Sequence, residues 1–266
     1  MQPAARVRLT KMRMALVLAL VLAATQAQAA WRPSVREPFD IQLTSPFQLG
    51  RKTALIALGA VETSAARLQD LQSRGVHTAC VINAGAWENW RPDSGAFDKR
   101  LVGTPTTGWP AERWLDVRAL DALGPVMARR LDLCRDKGFD AVLLRNLDGY
   151  RHRSGFPLSA KDQVAYNRML AQAARERGLV VGLMNTGDLA AELVDSFDYA
   201  VSEGCFEDGD CEEYLPFKRA DKPVFVVEYT NLQRKIDRYC AEAAELGMQL
   251  VFKAKSLNGK LHQRCP

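Results

Sequence analysis

Short apolar runs alternate with amphipathic segments along most of the chain, and this alternation restricts the possible folds more than any other sequence feature. Each run is rich in Val, Ile, Leu or Phe, as expected for strands buried on both faces of a parallel sheet. The eight predicted strands are residues 53–58, 77–83, 114–117, 139–144, 179–184, 197–202, 223–228 and 249–253.

Four longer segments between these runs repeat apolar residues at the spacing of an α-helix. The predicted helices are residues 63–74, 121–137, 159–177 and 232–246. The third begins with Ser159 and Asp162, which have the spacing of a capping box. Glycines that favour a left-handed helix end follow the four segments, at Gly75, Gly138, Gly178 and Gly247.

Eight strands that alternate with helices predict an α/β fold, specifically a single-domain (β/α)8 TIM-like barrel. A doubly wound open sheet is the alternative fold. The barrel is favoured by the strand count and because no Gly-x-Gly-x-x-Gly motif follows an early strand. In a barrel, the active site lies at the carboxyl ends of the strands.

The first 29 residues have the pattern of a cleaved signal peptide. Arg6, Arg8, Lys11 and Arg13 precede an apolar run, and small residues follow at 27–29. The run is too short to span a bilayer, which needs about 20 apolar residues. We therefore expect residues 30–266 to form an exported mature domain, either periplasmic or secreted, with no membrane span.

The net charge of the chain comes mainly from this segment. The whole sequence carries a formal charge of +5, with 36 basic and 31 acidic residues. Residues 1–29 hold four of the basic residues and no acid, so the mature chain has an excess of one positive charge. This near balance removes the reason to expect a nucleic-acid or anionic-membrane partner.

Export places the six cysteines in an oxidising compartment, where disulfides form. Cys205 and Cys211 flank a short acidic loop, so a local bridge between them is expected, with Cys240–Cys265 holding the C-terminal tail. Fifteen pairings are possible for six cysteines, and Cys80 and Cys134 are either buried thiols or a third bridge. The histidines are scattered and there is no Cys-x-x-Cys, so we expect no metal site and no cofactor.

Polar and aromatic residues follow the predicted strands where a barrel would carry its active site. They are Trp87, Glu88, Trp90, Asn146, Asp148, Tyr150, Asn185, Glu203 and Glu228. Aromatic rings stack on sugars, amides and acids bond to hydroxyl groups, and two carboxyl groups can cleave a glycosidic bond. For any one of the acids, a salt bridge or a helix cap is an equally good explanation.

Several motifs resemble glycoside hydrolase family 114. They are Ala84-Gly-Ala-Trp-Glu-Asn-Trp-Arg-Pro-Asp93, Gly108-Trp-Pro-Ala-Glu-Arg-Trp-Leu-Asp116, Asn146-Leu-Asp-Gly-Tyr150, Gly155-Phe-Pro-Leu158, Glu203-Gly-Cys-Phe206 and Lys222-Pro-Val-Phe-Val-Val-Glu-Tyr229. The likeness runs from about Pro38 to Cys265. It implies a TIM-like barrel, an endo-α-1,4-polygalactosaminidase activity without a cofactor, a polysaccharide partner, and the disulfides Cys205–Cys211 and Cys240–Cys265.

The chain departs from the family pattern where the chemistry should occur. The resemblance implies Glu203 as general acid/base, but Arg145 occupies the position of the expected nucleophilic Asp. The stretch 54–58 lacks the family's Asp-x-Asp pattern, and Met184 replaces a Lys before Asn185. An arginine can neither attack a sugar carbon nor act as a base, and its charge disfavours an oxocarbenium-like transition state. A buried Arg145–Glu203 pair would also keep Glu203 ionised.

Three functions are consistent with these residues. The first is a glycosidase that acts on an amino-sugar polysaccharide, with Glu203 as the acid and Asp148 or Glu228 as its partner. The second is a non-catalytic carbohydrate-binding protein that uses Trp87, Trp90, Tyr150, Asn146 and Glu88, in which Arg145 favours neutral or anionic glycans. The third is a structural or partner-binding barrel without a glycan, since a fold does not determine a function.

Overall fold

The computed structural model describes residues 31–229 and 235–265, and its centre is a curled sheet of parallel strands. The described strands are β1 (Phe39–Gln42), β2 (Leu55–Gly59), β3 (His77–Asn83), β4 (Ala86–Glu88), β5 (Val102–Thr106), β6 (Trp109–Leu115), β7 (Ala141–Arg145), β8 (Val180–Met184), β9 (Tyr199–Glu203), β10 (Val224–Tyr229), β11 (Gln249–Lys253) and β12 (Gln263–Arg264). The main sheet has the order β1-β2-β3-β7-β8-β9-β10-β11-β12, and among its described pairs β11 and β12 are antiparallel and the others parallel. This sequential order is that of a TIM-like barrel and not of a doubly wound sheet, so the predicted fold class is confirmed.

Seven of the eight barrel strands coincide with predicted strands. The remaining predicted strand does not belong to the barrel. Residues 114–117 were expected to form the third barrel strand. Instead Trp114 and Leu115 end β6, which belongs to a separate antiparallel sheet of order β4-β6-β5. The missing barrel strand is β1, whose alternate residues Asp40 and Gln42 are polar although buried. Polar side chains in a buried strand do not produce an apolar run, so the pattern did not reveal it.

The barrel closes between β1 and β11. Among the described residues, no backbone ladder joins these two strands. The buried Lys253 donates through Nζ to Asp40 Oδ1 at 2.5 Å, and His262 Nδ1 lies 3.1 Å from the same oxygen. Just beyond the strand, the Leu43 N–H donates to the Leu257 carbonyl at 2.8 Å. We call this junction the seam, and a buried ion pair is its central contact.

Helices pack around the outside of the sheet. The described helices are α1 (Ala65–Ser73), α2 (Leu120–Lys137), α3 (Ala160–Arg175), α4 (Ala190–Leu193), α5 (Cys205–Asp208), α6 (Leu215–Arg219) and α7 (Ile236–Leu246). The predicted capping box opens α3, since Ser159 Oγ accepts from the Asp162 N–H and the Asp162 carboxylate accepts from the Ser159 N–H. The four predicted helix-ending glycines all have positive φ.

The core lies between the strands and these helices. Alternate strand residues such as Ile56, Leu58 and Val142 face Leu68, Leu131 and other buried residues of the helices in one continuous apolar cluster. In the described residues, no helix is long and apolar enough to cross a bilayer. The predicted signal peptide and the first residues of the fourth predicted helix lie outside the described residues.

Three disulfides fasten the barrel to its surroundings. Cys205–Cys211 and Cys240–Cys265 are bonded as expected, and the bond left open by the sequence joins Cys80 of β3 to Cys134 of α2. All six cysteines are therefore paired. The Cys80–Cys134 bridge links a central strand to the helix that packs on it, across 54 residues of chain.

Candidate active site

A cleft of about 600 Å³ opens at the carboxyl ends of the barrel strands, and the small antiparallel sheet forms one of its walls. Its acidic lining residues are Glu62, Glu88, Glu112, Asp148 and Glu203, and its fixed cations are Arg91, Arg145 and Lys255. Trp90 and Trp109 reach into it with side chains that are 50% and 61% exposed. The cleft therefore combines accessible aromatic faces with an excess of negative charge.

The end of β7 places Arg145 inside this cleft, opposite a carboxylate that the predictions did not include. Arg145 Nη2 donates to both Oε1 and Oε2 of Glu112, at 3.0 and 3.1 Å. Glu112 is buried on β6 and also accepts from the amides of Asn83 (3.0 Å) and Asn146 (3.3 Å). The pairing with Glu203 that the sequence left as a possibility is thus not the one formed by Arg145, which pairs with Glu112 and is locally neutralised by it.

The turn after β7 depends on a close backbone approach. Asn146 has a left-handed conformation with φ of 60°, which asparagine tolerates better than most residues. Its carbonyl oxygen packs against Gly85 so closely that a Cβ on Gly85 would overlap it. The tight contact holds the Asn146 amide against Asn83 Oδ1 at 2.9 Å and so fixes the surroundings of Glu112.

Glu203 ends β9 in the same cleft and is held by uncharged donors. Tyr229 donates its hydroxyl to Oε1, and Asn185 Nδ2 donates to Oε2 at 2.9 Å. The Asn185 side chain also accepts, through Oδ1, from the Glu203 N–H at 2.8 Å. The backbone of Asn185 is left-handed, with φ of 54°. Burial and then the charge of Glu203 raise the pKa of Tyr229, so this phenol remains protonated at neutral pH. In the described part of the chain, the carboxylate therefore has two neutral donors and no ion-pair partner.

Asp148 also reaches the cleft. β7 ends at Arg145 and the left-handed Asn146 breaks the strand alternation, so Leu147 is fully buried while Asp148 faces the cleft. Asp148 Oδ2 lies 2.9 Å from His152 Nε2, and the imidazole stacks on Trp114 with centroids 4.5 Å apart. The predicted alternative carboxylate is thus present, but it has a histidine partner.

Glu88 and Trp90 line the cleft, whereas two other predicted sugar contacts do not. Glu88 is buried and accepts from Arg91 Nε at 2.9 Å, and Arg91 also contacts Glu62 at 3.2 Å. Trp87 instead packs on the core and donates its indole N–H to the Ser94 carbonyl at 3.0 Å. Tyr150 also packs on the core and donates its hydroxyl to Asp188.

Glu228 lies beside the cleft in a second cavity of about 380 Å³, which shares Trp109, Glu203 and Tyr229 with the cleft. Its side chain is fully buried, and Oε1 accepts the Phe206 N–H at 2.8 Å. Burial, together with the charges of Glu207 and Asp208, raises the pKa of Glu228 to about 7 despite the backbone donors. This carboxyl group is a poor candidate for a permanently ionised nucleophile.

Sequence reasoning missed Glu112, Trp109 and Tyr229 as cleft residues. Glu112 and Trp109 lie inside the quoted motif 108–116, so the signal was present, but they precede the predicted strand instead of following it. Tyr229 directly follows Glu228 at the end of a predicted strand. In the described part of the chain, no group of three or more His, Cys, Asp or Glu side chains could hold a metal ion.

Solved structures with the same fold include carbohydrate-active proteins. Ega3 of Aspergillus fumigatus, solved in complex with galactosamine, is 28% identical, with a TM-score of 0.84, and the match covers 88% of this chain and 97% of that one. The glycoside hydrolase domain of PelA from Pseudomonas aeruginosa is 13% identical, with a TM-score of 0.68 and coverage of 85% and 98%. That of PgaB (BpsB) from Bordetella bronchiseptica is 12% identical, with a TM-score of 0.53 and coverage of 85% and 95%.

A search of curated proteins found no significant match. The family model for glycoside-hydrolase family GH114, in contrast, matches residues 21–266, which is nearly the whole sequence. This match agrees with the barrel, with the strand-end cleft and with the order of the motifs. The chain belongs to glycoside-hydrolase family GH114.

Proposed function

We propose that this chain is an exported family member that binds a galactosamine-type polysaccharide in the cleft, and that Arg145 suppresses hydrolysis there. The observation that carries the proposal is the position of Arg145, which ends β7 inside the cleft and pairs with Glu112. The family resemblance leads us to expect a nucleophilic Asp at this position. A guanidinium cannot form the covalent glycosyl intermediate that such an Asp would form.

The lining of the cleft supports an amino-sugar polysaccharide as the ligand. Trp90 and Trp109 offer exposed rings for stacking on sugar faces. Glu112 neutralises Arg145, so the guanidinium does not have to repel the ammonium groups of such a polymer. This differs from the expectation that Arg145 favours neutral or anionic glycans. The likeness to Ega3, which was solved with galactosamine, supports the same substrate class.

Glu203 is the residue that we assign as general acid/base. Among the acidic side chains in the described cleft lining, Glu62, Glu88, Glu112 and Asp148 each lie close to an Arg or His. Among the described residues, the Glu203 carboxylate accepts from the Tyr229 hydroxyl and the Asn185 side-chain amide, and its backbone N–H donates to the same Asn185 side chain. Glycoside hydrolysis needs a second carboxylate as nucleophile or base, and the described lining of the cleft contains no other acid without an Arg or His neighbour.

A second candidate function is slow hydrolysis with Asp148 as the partner carboxylate. The observation in its favour is that the turn at Asn146 directs Asp148 into the cleft that holds Glu203. His152, 2.9 Å from Asp148, could share the proton of an attacking water. Glu228 is the weaker partner because its pKa, raised to about 7 by burial, leaves it partly protonated at neutral pH.

Binding and turnover on one polymer separate the two functions. Purified protein is incubated with α-1,4-linked polygalactosamine, and bound polymer and released reducing ends are both measured. We expect binding without reducing ends from the wild type. Reducing ends that disappear in Glu203→Gln, but persist in the exposed control Glu245→Gln, would establish hydrolysis instead. Absence of binding to this polymer would contradict both functions.

Export belongs to the same proposal. We propose that residues 1–29 direct secretion and are removed, leaving residues 30–266 as the mature domain in the periplasm or outside the cell. Three disulfides in the described residues support an oxidising compartment. The N-terminal sequence of the protein recovered from an exporting host tests this, because an intact Met1 on the exported protein would contradict cleavage.

A further inference from the structure

The chain that follows β11 forms part of the cleft wall. Residues 254–265, which we call the C-terminal segment, place Lys255 and Leu257 in the lining of the cleft. Leu43 and Thr44, which follow β1, donate their backbone N–H groups to the Leu257 carbonyl at 2.8 and 3.4 Å. Both of these residues also line the cleft, so the C-terminal segment and the chain after β1 meet in one wall.

This wall contains a strained residue. Leu257 has φ of 46°, in the left-handed region that bulky side chains rarely adopt, and its side chain is buried. The Gly259 N–H donates to the Pro46 carbonyl at 2.9 Å, and a Cβ on Gly259 would lie 2.4 Å from the Gln48 nitrogen. A strained backbone conformation persists only while the surrounding contacts enforce it. The C-terminal segment therefore needs anchors on both sides of Leu257 to keep its shape.

The far end of the segment is held by a short ladder, an imidazole contact and a covalent bond. β12 is two residues long and pairs with the edge of β11 that β10 does not occupy. His262 Nδ1 lies 3.1 Å from Asp40 Oδ1 at the seam. Cys265 directly follows β12 and is bonded to Cys240 of α7, 25 residues earlier in the chain. The disulfide is the strongest of these anchors, because the other two are short non-covalent contacts.

The three disulfides differ in their exposure to solvent. Both cysteines of Cys80–Cys134 are fully buried, and those of Cys205–Cys211 are 1% and 5% exposed. The cysteines of Cys240–Cys265 are only partly buried. Thiol–disulfide exchange requires a thiolate to reach one of the two sulfur atoms, so an exposed bond reacts before a sealed one. Among the described disulfides, Cys240–Cys265 is therefore the one that a reductant reaches first.

We propose that Cys240–Cys265 is a site of thiol–disulfide exchange, and that its reduction by a dithiol loosens the cleft wall formed by the C-terminal segment. One thiolate of the dithiol attacks a sulfur atom of the bond, so that a mixed disulfide forms and the other cysteine leaves as a thiolate and takes up a proton. The second thiol of the reductant then displaces the remaining cysteine in the same way. Two electrons pass to the protein, which gains two thiols while the dithiol becomes a disulfide.

Loss of the bond affects the cleft through the segment. The bond restricts the conformations of the 25 residues that it closes, so an opened segment gains chain entropy once the bond is broken. Opening also relieves the left-handed backbone of Leu257 and separates its carbonyl from Leu43 and Thr44. A ligand must then order this wall again when it binds, which lowers its affinity. This consequence for the polysaccharide rests on the proposed function, whereas release of the segment does not.

Differential labelling of the native protein tests the exchange site. The purified protein is treated with dithiothreitol for increasing times, free thiols are alkylated with iodoacetamide, and peptide mass spectrometry measures the labelled fraction of each cysteine. We expect Cys240 and Cys265 to be labelled at least about tenfold faster than the other four cysteines. Equal labelling rates for the three pairs, or earlier labelling of Cys205 and Cys211, would overturn the assignment of the site.

Amide hydrogen exchange tests the release of the wall. In protein reduced only at this bond, we expect the amides of Leu43, Thr44 and Gly259 to exchange at least about tenfold faster, while the amides of β7 keep their rates. Cys240→Ser combined with Cys265→Ser should show the fast exchange without reductant and should not respond to dithiothreitol. If this variant does not fold, the selectively reduced wild type decides, and unchanged exchange at the three amides would refute the release.

Binding measurements separate the disulfide from the proposed function. We expect selective reduction to weaken the binding of α-1,4-linked polygalactosamine at least about threefold. An unchanged affinity despite faster exchange would contradict the coupling of the segment to the cleft. Absence of binding by the oxidised protein would contradict the proposed function, whereas the labelling and exchange results decide on the disulfide by themselves.

Discussion

Arg145 Nη2 contacts both carboxylate oxygens of Glu112, at 3.0 and 3.1 Å, at the centre of the strand-end cleft. The pair joins the end of a barrel strand to the small antiparallel sheet, and the amides of Asn83 and Asn146 complete the surroundings of Glu112. Removing Arg145 would leave Glu112 with two neutral donors. A substitution at 145 therefore leaves Glu112 hydrogen-bonded but removes the cation that compensates its buried charge.

Arg145→Asp should introduce glycosidase activity. The substitution removes the fixed positive charge and supplies a carboxylate in the cleft that contains Glu203, which is the two-carboxylate arrangement that glycoside hydrolysis uses. We expect reducing-end release from polygalactosamine to rise at least about 100-fold above wild type.

Two variants control this gain. Arg145→Lys keeps the charge and should remain inactive. Arg145→Asp combined with Glu203→Gln should lose the new activity, since it lacks the acid. An Arg145→Asp protein that binds the polymer but still releases no reducing ends would refute the role assigned to Arg145.

Gly85→Ala should disrupt the turn that carries Asn146. The new Cβ would overlap a backbone carbonyl, which cannot move away as a flexible side chain could. We expect a loss of about 3 kcal/mol in the free energy of unfolding, measured by urea denaturation. Gly95→Ala is the matched control, because a Cβ there meets no atom within 4 Å, and equal losses in the two variants would rule out the packing explanation.

Lys253→Met should weaken the seam. The substitution leaves Asp40 buried without the ammonium that pairs with it at 2.5 Å. Breaking one partner of a buried pair typically costs about 3–5 kcal/mol in the free energy of unfolding. Replacing both partners, as Asp40→Leu with Lys253→Met, should cost less than Lys253→Met alone, and a double variant that is less stable than the single one would contradict this account.

The Asp40–Lys253 pair also predicts that the stability of the fold decreases at acidic pH. Burial alone would raise the pKa of Asp40, but His262, Lys253 and Gln42 outweigh it and lower the pKa to about 2. Since the folded-state pKa lies below the unfolded value of about 3.9, the unfolded chain binds more protons in this interval. The contribution is complete above about pH 4 and decreases as the pH falls towards 2. Lys253→Met should flatten this part of the stability profile measured by thermal melting, and an unchanged slope would count against Asp40 as its source.

Removal of the Cys80–Cys134 bridge should cost more stability than removal of Cys205–Cys211. The two bonds close loops of 54 and 6 residues. Loop-closure entropy then predicts losses of about 4 and about 2 kcal/mol for the paired Cys→Ala variants. Urea denaturation of both variants checks the order, and a larger loss for the short loop would show that packing, not chain entropy, dominates.

Apolar patterning predicted most of the barrel because most of its strands are buried among apolar residues. It failed for β1 because Asp40 and Gln42 are buried although they are polar. The ion pair between Asp40 and Lys253 makes the burial of this carboxylate possible. It also assigned residues 114–117 to the barrel. Buried Trp114 and Leu115 look the same in the sequence whether the strand belongs to the barrel or to β6 of the small sheet.

The site was predictable where strand ends alone determine it. Asn146, Asn185 and Glu203 lie in the cleft because they follow parallel strands that end at one edge. Glu112 was missed because an antiparallel strand brings it there from outside the barrel. The direction of Asp148 depends on the left-handed backbone of Asn146, and strand alternation contains no information about such a turn.

The seam marks where the first barrel strand, β1, meets the last barrel strand, β11. In the described residues, charge and loop contacts and not a ladder join β1 to β11, and β12 pairs with Val251 and Phe252 on the outer edge of β11. Local opening between β1 and β11 therefore breaks no ladder hydrogen bonds between these two strands, whereas opening between two laddered strands does. The barrel therefore has a built-in starting point for unfolding, and amide exchange should proceed from this junction before it reaches β7 and β9, which carry the cleft residues.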